Sequence, residues 1–414
     1  MLICILKYLR RSIVSTDWPR FDYHAKRVRS LGFLHRIEAH RITPDSEVLR
    51  ALRLSRPLAR LCPNLRHLHW SYFGYNDVQV LEHIYSLIGP QICRLFLEIG
   101  KLDLAEISLI RSIPVIGPRI THLTLCVYYR DHPEESDHFR ETIWKTVCCY
   151  QLVDFWFDVP VSQPALLCLA GMPALQKLAL EVSGSDDFVS LSLPQCAFPA
   201  LRDLELTGKM APAFLEALPS CVIEAIKIDF TPTVDDVDFM ARFFQVLHER
   251  CSHQSLSRIG VYFGPNFTQP HPDIELADML QPLLSFVNSQ DITISICHLF
   301  RLDNNFVEAA AKSWPRLRSL KLGIDGYGYR WAGRSNITLT GLASLARHCP
   351  DLTSLAIVID ATVVDHVLDI PVSNTKLNVL HLGDSIIKNP TSVAACLSGI
   401  FPHLTSIHSC SPVI

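Results

Sequence analysis

One hexad, apolar-x-x-apolar-x-apolar, constrains this chain more than any other feature. Its clearest copy lies in Trp314-Pro315-Arg316-Leu317-Arg318-Ser319-Leu320-Lys321-Leu322. Proline pushes the residue before it out of the helical region, so Trp314 reads as the last anchor of a helix and Leu317 as the first inward residue of a strand. Leu320 and Leu322 then alternate with Ser319 and Lys321, the period of two that a half-buried strand requires.

The hexad opens weakly at Val28-x-x-Leu31-x-Phe33 and firmly at Leu65-x-x-Leu68-x-Trp70. It recurs from Ile92, Ile120, Leu152, Leu175, Leu201, Ile223, Leu256, Leu317, Leu352 and Leu377, with a degenerate copy near Ile292-x-Ile294 and a final Leu404-x-x-Ile407. Clean copies start from 22 residues apart (Leu201 to Ile223) to 35 apart (Leu317 to Leu352). That spacing is close to the roughly 20–29 residues of leucine-rich repeats. Helices are predicted between strands at 45–61 with a kink at Pro57, and at 77–88, 102–113, 134–147, 235–250, 273–287, 304–313, 340–347 and 390–400. Thr233 with Asp236 makes a capping box, and Asn389-Pro390 an N-cap with proline at the first helical position.

Strand, helix, proline and strand again give parallel strands joined by right-handed crossovers. The fold class predicted is α/β, a leucine-rich-repeat solenoid or horseshoe of about 13 irregular repeats. Strands line its concave face and helices its convex face. A doubly wound sheet shares the alternation, but such sheets rarely exceed about ten strands, and their strands follow no common template. Residues 1–27 read as a segment ahead of the repeats and 28–414 as the repeat domain.

Hydrophobic residues make up 49% of the 414 and charged ones 19%, with a net charge of −3. Such a balance supplies no field to draw nucleic acid or anionic lipid, which leaves proteins as the expected partners. The 14 cysteines occur singly or as Cys148-Cys149, a spread that suits reduced, buried thiols. Lys7, Arg10 and Arg11 follow the apolar start Met1 to Leu6, the reverse of a signal peptide, and no run is long enough to span a membrane. An intracellular protein, cytoplasmic or nuclear, is expected, with the sequons at Asn266 and Asn336 fortuitous.

No His-Glu-x-x-His, Gly-x-Ser-x-Gly, Walker-type loop or zinc-type cysteine pairing occurs, so no catalytic, cofactor or metal residue is predicted and the chain is not read as an enzyme. The cluster Asp131-His132-Pro133-Glu134-Glu135-Ser136-Asp137-His138 offers ligand atoms, but acids at a helix start read first as a solvated cap. The glycine run from Gly323 to Arg334 departs from Gly-x-Gly-x-x-Gly and opens no helix. Its Tyr327, Tyr329, Arg330, Trp331 and Arg334 are instead the residue types that dominate interfaces, with a rim loop folded back on the repeats as the competing reading.

The residue between the last two apolar positions of each hexad should face the concave side: His69, Phe96, Thr124, Trp156, Ala179, Glu205, Lys227, Gly260, Lys321, Ala356 and His381. Phe96 and Trp156 are the large apolar members and mark a docking site around repeats three to five, unless flanking loops cover both rings.

The stretch Asp17-Trp18-Pro19-Arg20-Phe21-Asp22-Tyr23-His24-Ala25-Lys26-Arg27-Val28-Arg29-Ser30-Leu31 resembles the segment ahead of the first repeat in F-box leucine-rich-repeat proteins of mushroom-forming fungi. Leu58 to Trp70 resembles that family's next landmark. The resemblance implies an adaptor whose F-box binds the Skp-type linker of a cullin-based ubiquitin ligase and whose repeats bind the protein to be ubiquitinated. No Leu-Pro-x-Glu box opens an F-box here, and residues 1 to 16 are too short for its three helices, which leaves the Skp-type linker without a visible docking unit. A scaffold or inhibitor that binds a protein partner without ubiquitin is the alternative.

Overall fold

The structure, a computed structural model, describes residues 11–32, 46–56, 60–70, 84–99, 104–127, 136–182, 192–219, 222–230, 237–263, 276–295, 302–323, 335–364 and 372–409. They fall into two compact units, Met1–Leu180 with Phe198–Ala200, and Glu181–Ala197 with Leu201–Ile414.

The first unit lines up β1 (Ser30–Leu31), β2 (His67–Trp70), β3 (Arg94–Ile99), β4 (His122–Val127), β5 (Asp154–Pro160) and β6 (Lys177–Glu181) in chain order. Pairing from β1 to β5 is parallel and in register with the hexads, so Leu68, Leu95, Leu123 and Phe155 sit side by side. The second unit does the same with β7 (Asp203–Thr207), β8 (Ala225–Asp229), β9 (Arg258–Tyr262), β10 (Asp291–Ser295), β11 (Ser319–Leu322), β12 (Ser354–Ala356), β14 (Val379–Gly383) and β16 (Ser406–Ser409). Every hexad thus marks a strand, including the degenerate copy, and each unit is a leucine-rich-repeat stack. A small pair not foreseen, β13 (Asp360–Ala361) with β15 (Ile386–Ile387), sits in the second unit.

A repeated fork sets the register. In the first unit the Arg29 carbonyl accepts from the N–H groups of Arg66 (2.8 Å) and His67 (3.0 Å), and the Arg66 carbonyl from Cys93 (2.8 Å) and Arg94 (3.0 Å). Cys93, Thr121 and Val153 repeat the arrangement, each toward the next strand. In the second unit the carbonyls of Arg202, Glu224, Ser257, Gln290, Arg318 and Asn378 do likewise. Just upstream, the proline stops close tight turns: Leu65 N–H donates to Cys62 O, Leu317 to Trp314 O, Leu352 to Cys349 O and Leu404 to Phe401 O. Proline stands second in each, where its fixed φ suits the turn.

Burial follows the alternation. Leu317, Leu320 and Leu322 are at most 1% exposed, whereas Lys321 is exposed. Helix residues close the layer from the other side. Trp144 packs edge-on against Phe155 and Phe157, and Phe243 against Phe230. Trp314 is fully buried as expected, its indole N–H donating to Leu283 O at 3.1 Å. The final hexad departs from the rule, since Ile407 on β16 is 53% exposed and no described helix follows to cover it.

Several helix expectations are corrected. The helix expected over 45–61 is Ser46–Ser55, and the expected kink at Pro57 lies outside the described residues. The expected 273–287 helix divides into Leu276–Leu280 and a 3-10 turn Gln281–Ser285 that contains Pro282. Helices Trp18–Ala25, Gln163–Ala170 and Ala211–Ala217 were not expected; each is short and opens on a proline (Pro19, Pro164, Pro212) at a position where helices accept it. The Trp18–Ala25 helix is held by Arg56, which pairs with Asp22 at 2.6 Å and lies over the Trp18 ring at 4.7 Å. Most of 77–88 and the Thr233–Asp236 pair lie outside the described residues.

The reading of the cysteines as reduced, buried thiols also needs correction. Cys148 and Cys168 form a disulfide, placed together because the helix Ser136–Val147 ends one repeat from the helix Gln163–Ala170. Cys62, Cys126, Cys251, Cys349 and Cys396 are buried, and burial pushes the Cys62 thiol up to about 11.

Leu320→Ala is expected to cost roughly 2–5 kcal/mol in urea denaturation, as deletion of a buried strand side chain does. Lys321→Ala should stay within about 0.5 kcal/mol; equal losses would contradict the face assignment. The disulfide closes a loop across 20 positions. Reduction should therefore lower stability by up to about 3 kcal/mol, read as a drop in melting temperature that Cys168→Ser reproduces.

Candidate partner-binding face

Parallel pairing turns single positions of the hexad into lines of side chains on the sheet face opposite the buried leucines. On β2 to β5 the middle line reads His69, Phe96, Thr124, Trp156 in direct register. Phe96 and Trp156 are both half-buried, separated by the small Thr124. Two strand steps of about 4.8 Å put their backbones roughly 10 Å apart. The His69 ring stacks flat on Phe96, with centroids 3.8 Å apart and planes 9° from parallel. Gly32 secures this end, because a Cβ there would meet the His69 carbonyl oxygen at 2.1 Å.

Two residues earlier on each strand runs a second line, His67, Arg94, His122, Asp154. His67 and Arg94 are exposed and His122 half-buried. Burial, then the charges of Arg94 and Arg66, lower the pKa of His67. Burial and Arg94 also lower His122, against the opposing pull of Asp154, with His67 and Lys177 adding to the lowering. The line thus sets one fixed cation, Arg94, between two histidines whose protonation it disfavours, with one acid at its end. Sequence reasoning missed it, although the alternation that placed Phe96 and Trp156 outward places these residues outward as well.

A third line, two residues later, holds Glu98, Cys126 and Asp158. Glu98 is 6% exposed, and both Asp158 oxygens accept the Val127 N–H, at 2.9 and 3.1 Å. Burial first, then Asp158 and Glu98, push the Cys126 thiol far above its ordinary range. That thiol is no nucleophile.

On the open face of the second unit two of the cations have acids beside them, whereas Lys321 is exposed. Lys227 is ion-paired with Glu205, and Arg258 lies 3.4 Å from Asp203. Burial lowers the Lys227 pKa, but the Glu205 hydrogen bond and charge, with Tyr262 and Asp229, outweigh it and raise the net value. His381 stacks on His408 at 4.4 Å, its pKa lowered by burial, His408 and Lys321. Ala179 and Ala356, expected on the open face, are buried at 8% and 2% exposure, because a methyl group does not reach past its neighbours.

Tyr327, Tyr329, Arg330, Trp331 and Arg334 lie outside the described residues, as do Asp131 to Glu135. Among the described residues no group of three or more His, Cys, Asp or Glu could hold a metal, and no helix is long and apolar enough to cross a membrane.

His67 and His122 should titrate below about 6.5 in the folded chain, and Arg94→Ala should move both midpoints up, read from imidazole proton shifts. Because folding disfavours their charged forms, their contribution is present above the unfolded value and lost as pH falls through the folded midpoints. Arg94→Ala should blunt that loss in denaturation at successive pH values; identical pH profiles for both proteins would contradict the coupling.

No protein-family model matches the chain, and no curated protein matches it. Similar solved structures include a chain of the yeast Rad7 and Elc1 complex, at 14% identity and a TM-score of 0.41, covering 87% of this chain and 86% of that one. The leucine-rich repeat-containing protein LegL7 of Legionella pneumophila is similar at 12% identity and a TM-score of 0.37, covering 76% and 90%. A Bacteroides fragilis protein is similar at 12% and 0.32, covering 75% and 73%.

Proposed function

We propose that this chain is a non-catalytic recognition module that binds a protein partner through the open face of β2 to β5. The observation that carries this is the register of the half-buried Phe96 and Trp156 rings beside the exposed Arg94 and its flanking histidines His67 and His122. A half-covered aromatic pair beside a cation line combines apolar area with charged groups that favour one partner over another. The rim residues Tyr327, Tyr329, Arg330, Trp331 and Arg334 extend this proposal to a loop edge.

The finer reading is the substrate-binding part of an F-box-type ubiquitin ligase adaptor, acting in the cytoplasm or nucleus, with 1–27 as the lead-in and 28–414 as the repeats. Its support is the N-terminal resemblance, whose Trp18 and Asp22 hold the first helix against Arg56. The second reading is a scaffold or inhibitor that binds a protein partner without ubiquitination.

Tagged chain should co-purify with the Skp-type linker and with a protein whose abundance rises when the chain is deleted. A stoichiometric partner of unchanged abundance, without the linker, would instead establish the scaffold reading. Phe96→Ala with Trp156→Ala should abolish partner capture while the melting temperature holds; undiminished capture would remove these strands from the site.

A further inference from the structure

We propose that the line His67, Arg94, His122 seats an acidic segment of the protein partner, its carboxylates lying across β2 to β4 and an aromatic side chain of the same segment resting on Phe96 and Trp156. This deepens the recognition reading above and rests on it. The whole chain carries −3, so a cationic line is not a reflection of its composition. In the second unit the open-face cations Lys227 and Arg258 have acids in reach. In the first unit Arg94 has no ion-pair partner among the described residues, and the one acid in the line, Asp154, lies beyond His122.

The acids of the third line do not compensate. Four residues along a strand are roughly 13 Å, and Asp158 is already committed to the Val127 N–H. Arg94 and the two protonatable histidines on the adjacent strands therefore span about 10 Å of the open sheet face. Carboxylates two residues apart on an extended chain are about 7 Å apart, so a segment crossing the strands can present one to Arg94 and another to either histidine. Side chains on its other positions then face the aromatic line, two residues along.

The histidines give the seat a pH signature. An incoming carboxylate favours their protonated forms, against burial first and then the charge of Arg94, with Arg66 acting on His67 and with His67 and Lys177 acting on His122; Asp154 already pulls His122 the same way as the carboxylate. Binding an acidic segment takes up protons and tightens as pH falls from about 7.5 to about 5.5, around the ordinary histidine value.

The test uses the full chain and fluorescence anisotropy with a labelled peptide of alternating glutamate and tyrosine. Its controls are the glutamine counterpart, the phosphoserine counterpart and a short single-stranded RNA. The glutamate peptide should bind about tenfold tighter than the glutamine one, the factor one charge-assisted hydrogen bond supplies, and the gap should widen at low pH. Arg94→Glu should erase that gap with no change in melting temperature, and His67→Gln with His122→Gln should remove its pH dependence. Equal binding of the glutamate and glutamine peptides overturns the proposal, as does tighter binding of RNA or binding of the phosphoserine peptide alone. If Trp156→Ala weakens the glutamate peptide and Arg94→Glu does not, the recognition face stands and the acidic seat falls. If neither does, both fall.

Discussion

A single carbonyl at the head of each strand accepts two successive N–H groups from the next repeat, and the rest of each unit depends on that fork. It fixes where one strand starts relative to its neighbour, as at Arg29 toward Arg66 and His67 or Arg318 toward Thr353 and Ser354. A slip of one residue would turn every leucine to solvent and every charge inward, because the side-chain period is two. The proline turn one step upstream delivers the chain to the fork at a constant angle.

Parallel sheets are ordinarily covered on both faces and then read as unbroken apolar runs. Here the strands alternate, because helix residues such as Trp144 and Phe243 cover one face and leave the other open. An uncovered parallel sheet has an unusual property: neighbouring repeats set out their outward residues in straight lines about 4.8 Å apart. Identity along a line is free to vary without disturbing the core. The first unit uses that freedom for Arg94, two histidines and aromatic rings, whereas the second uses it in part for ion pairs such as Lys227 with Glu205.

Much of this was legible in the sequence because the hexad is a local signal repeated many times. Strand positions, turn prolines and the outward placement of Phe96, Trp156 and Lys321 follow from alternation alone. The helices opening on Pro19, Pro164 and Pro212 were not legible, since each spans only about two turns, too few for a helical period to stand out. The Cys148–Cys168 disulfide joins residues that are distant in sequence and adjacent only after two helices stack. The cation line was present in the letters, one alternate position from the aromatic line. Its meaning depends on knowing which acids are in reach, and that is a property of the register.

The most direct measurement places a photo-cross-linking amino acid at Thr124, between the Phe96 and Trp156 rings, and in a second protein at Leu167, 41% exposed on the Gln163–Ala170 helix. After irradiation in cells, the account predicts a discrete protein adduct from position 124 and none from 167. An adduct from 167 alone would show that the helical side makes the contact and would contradict the account.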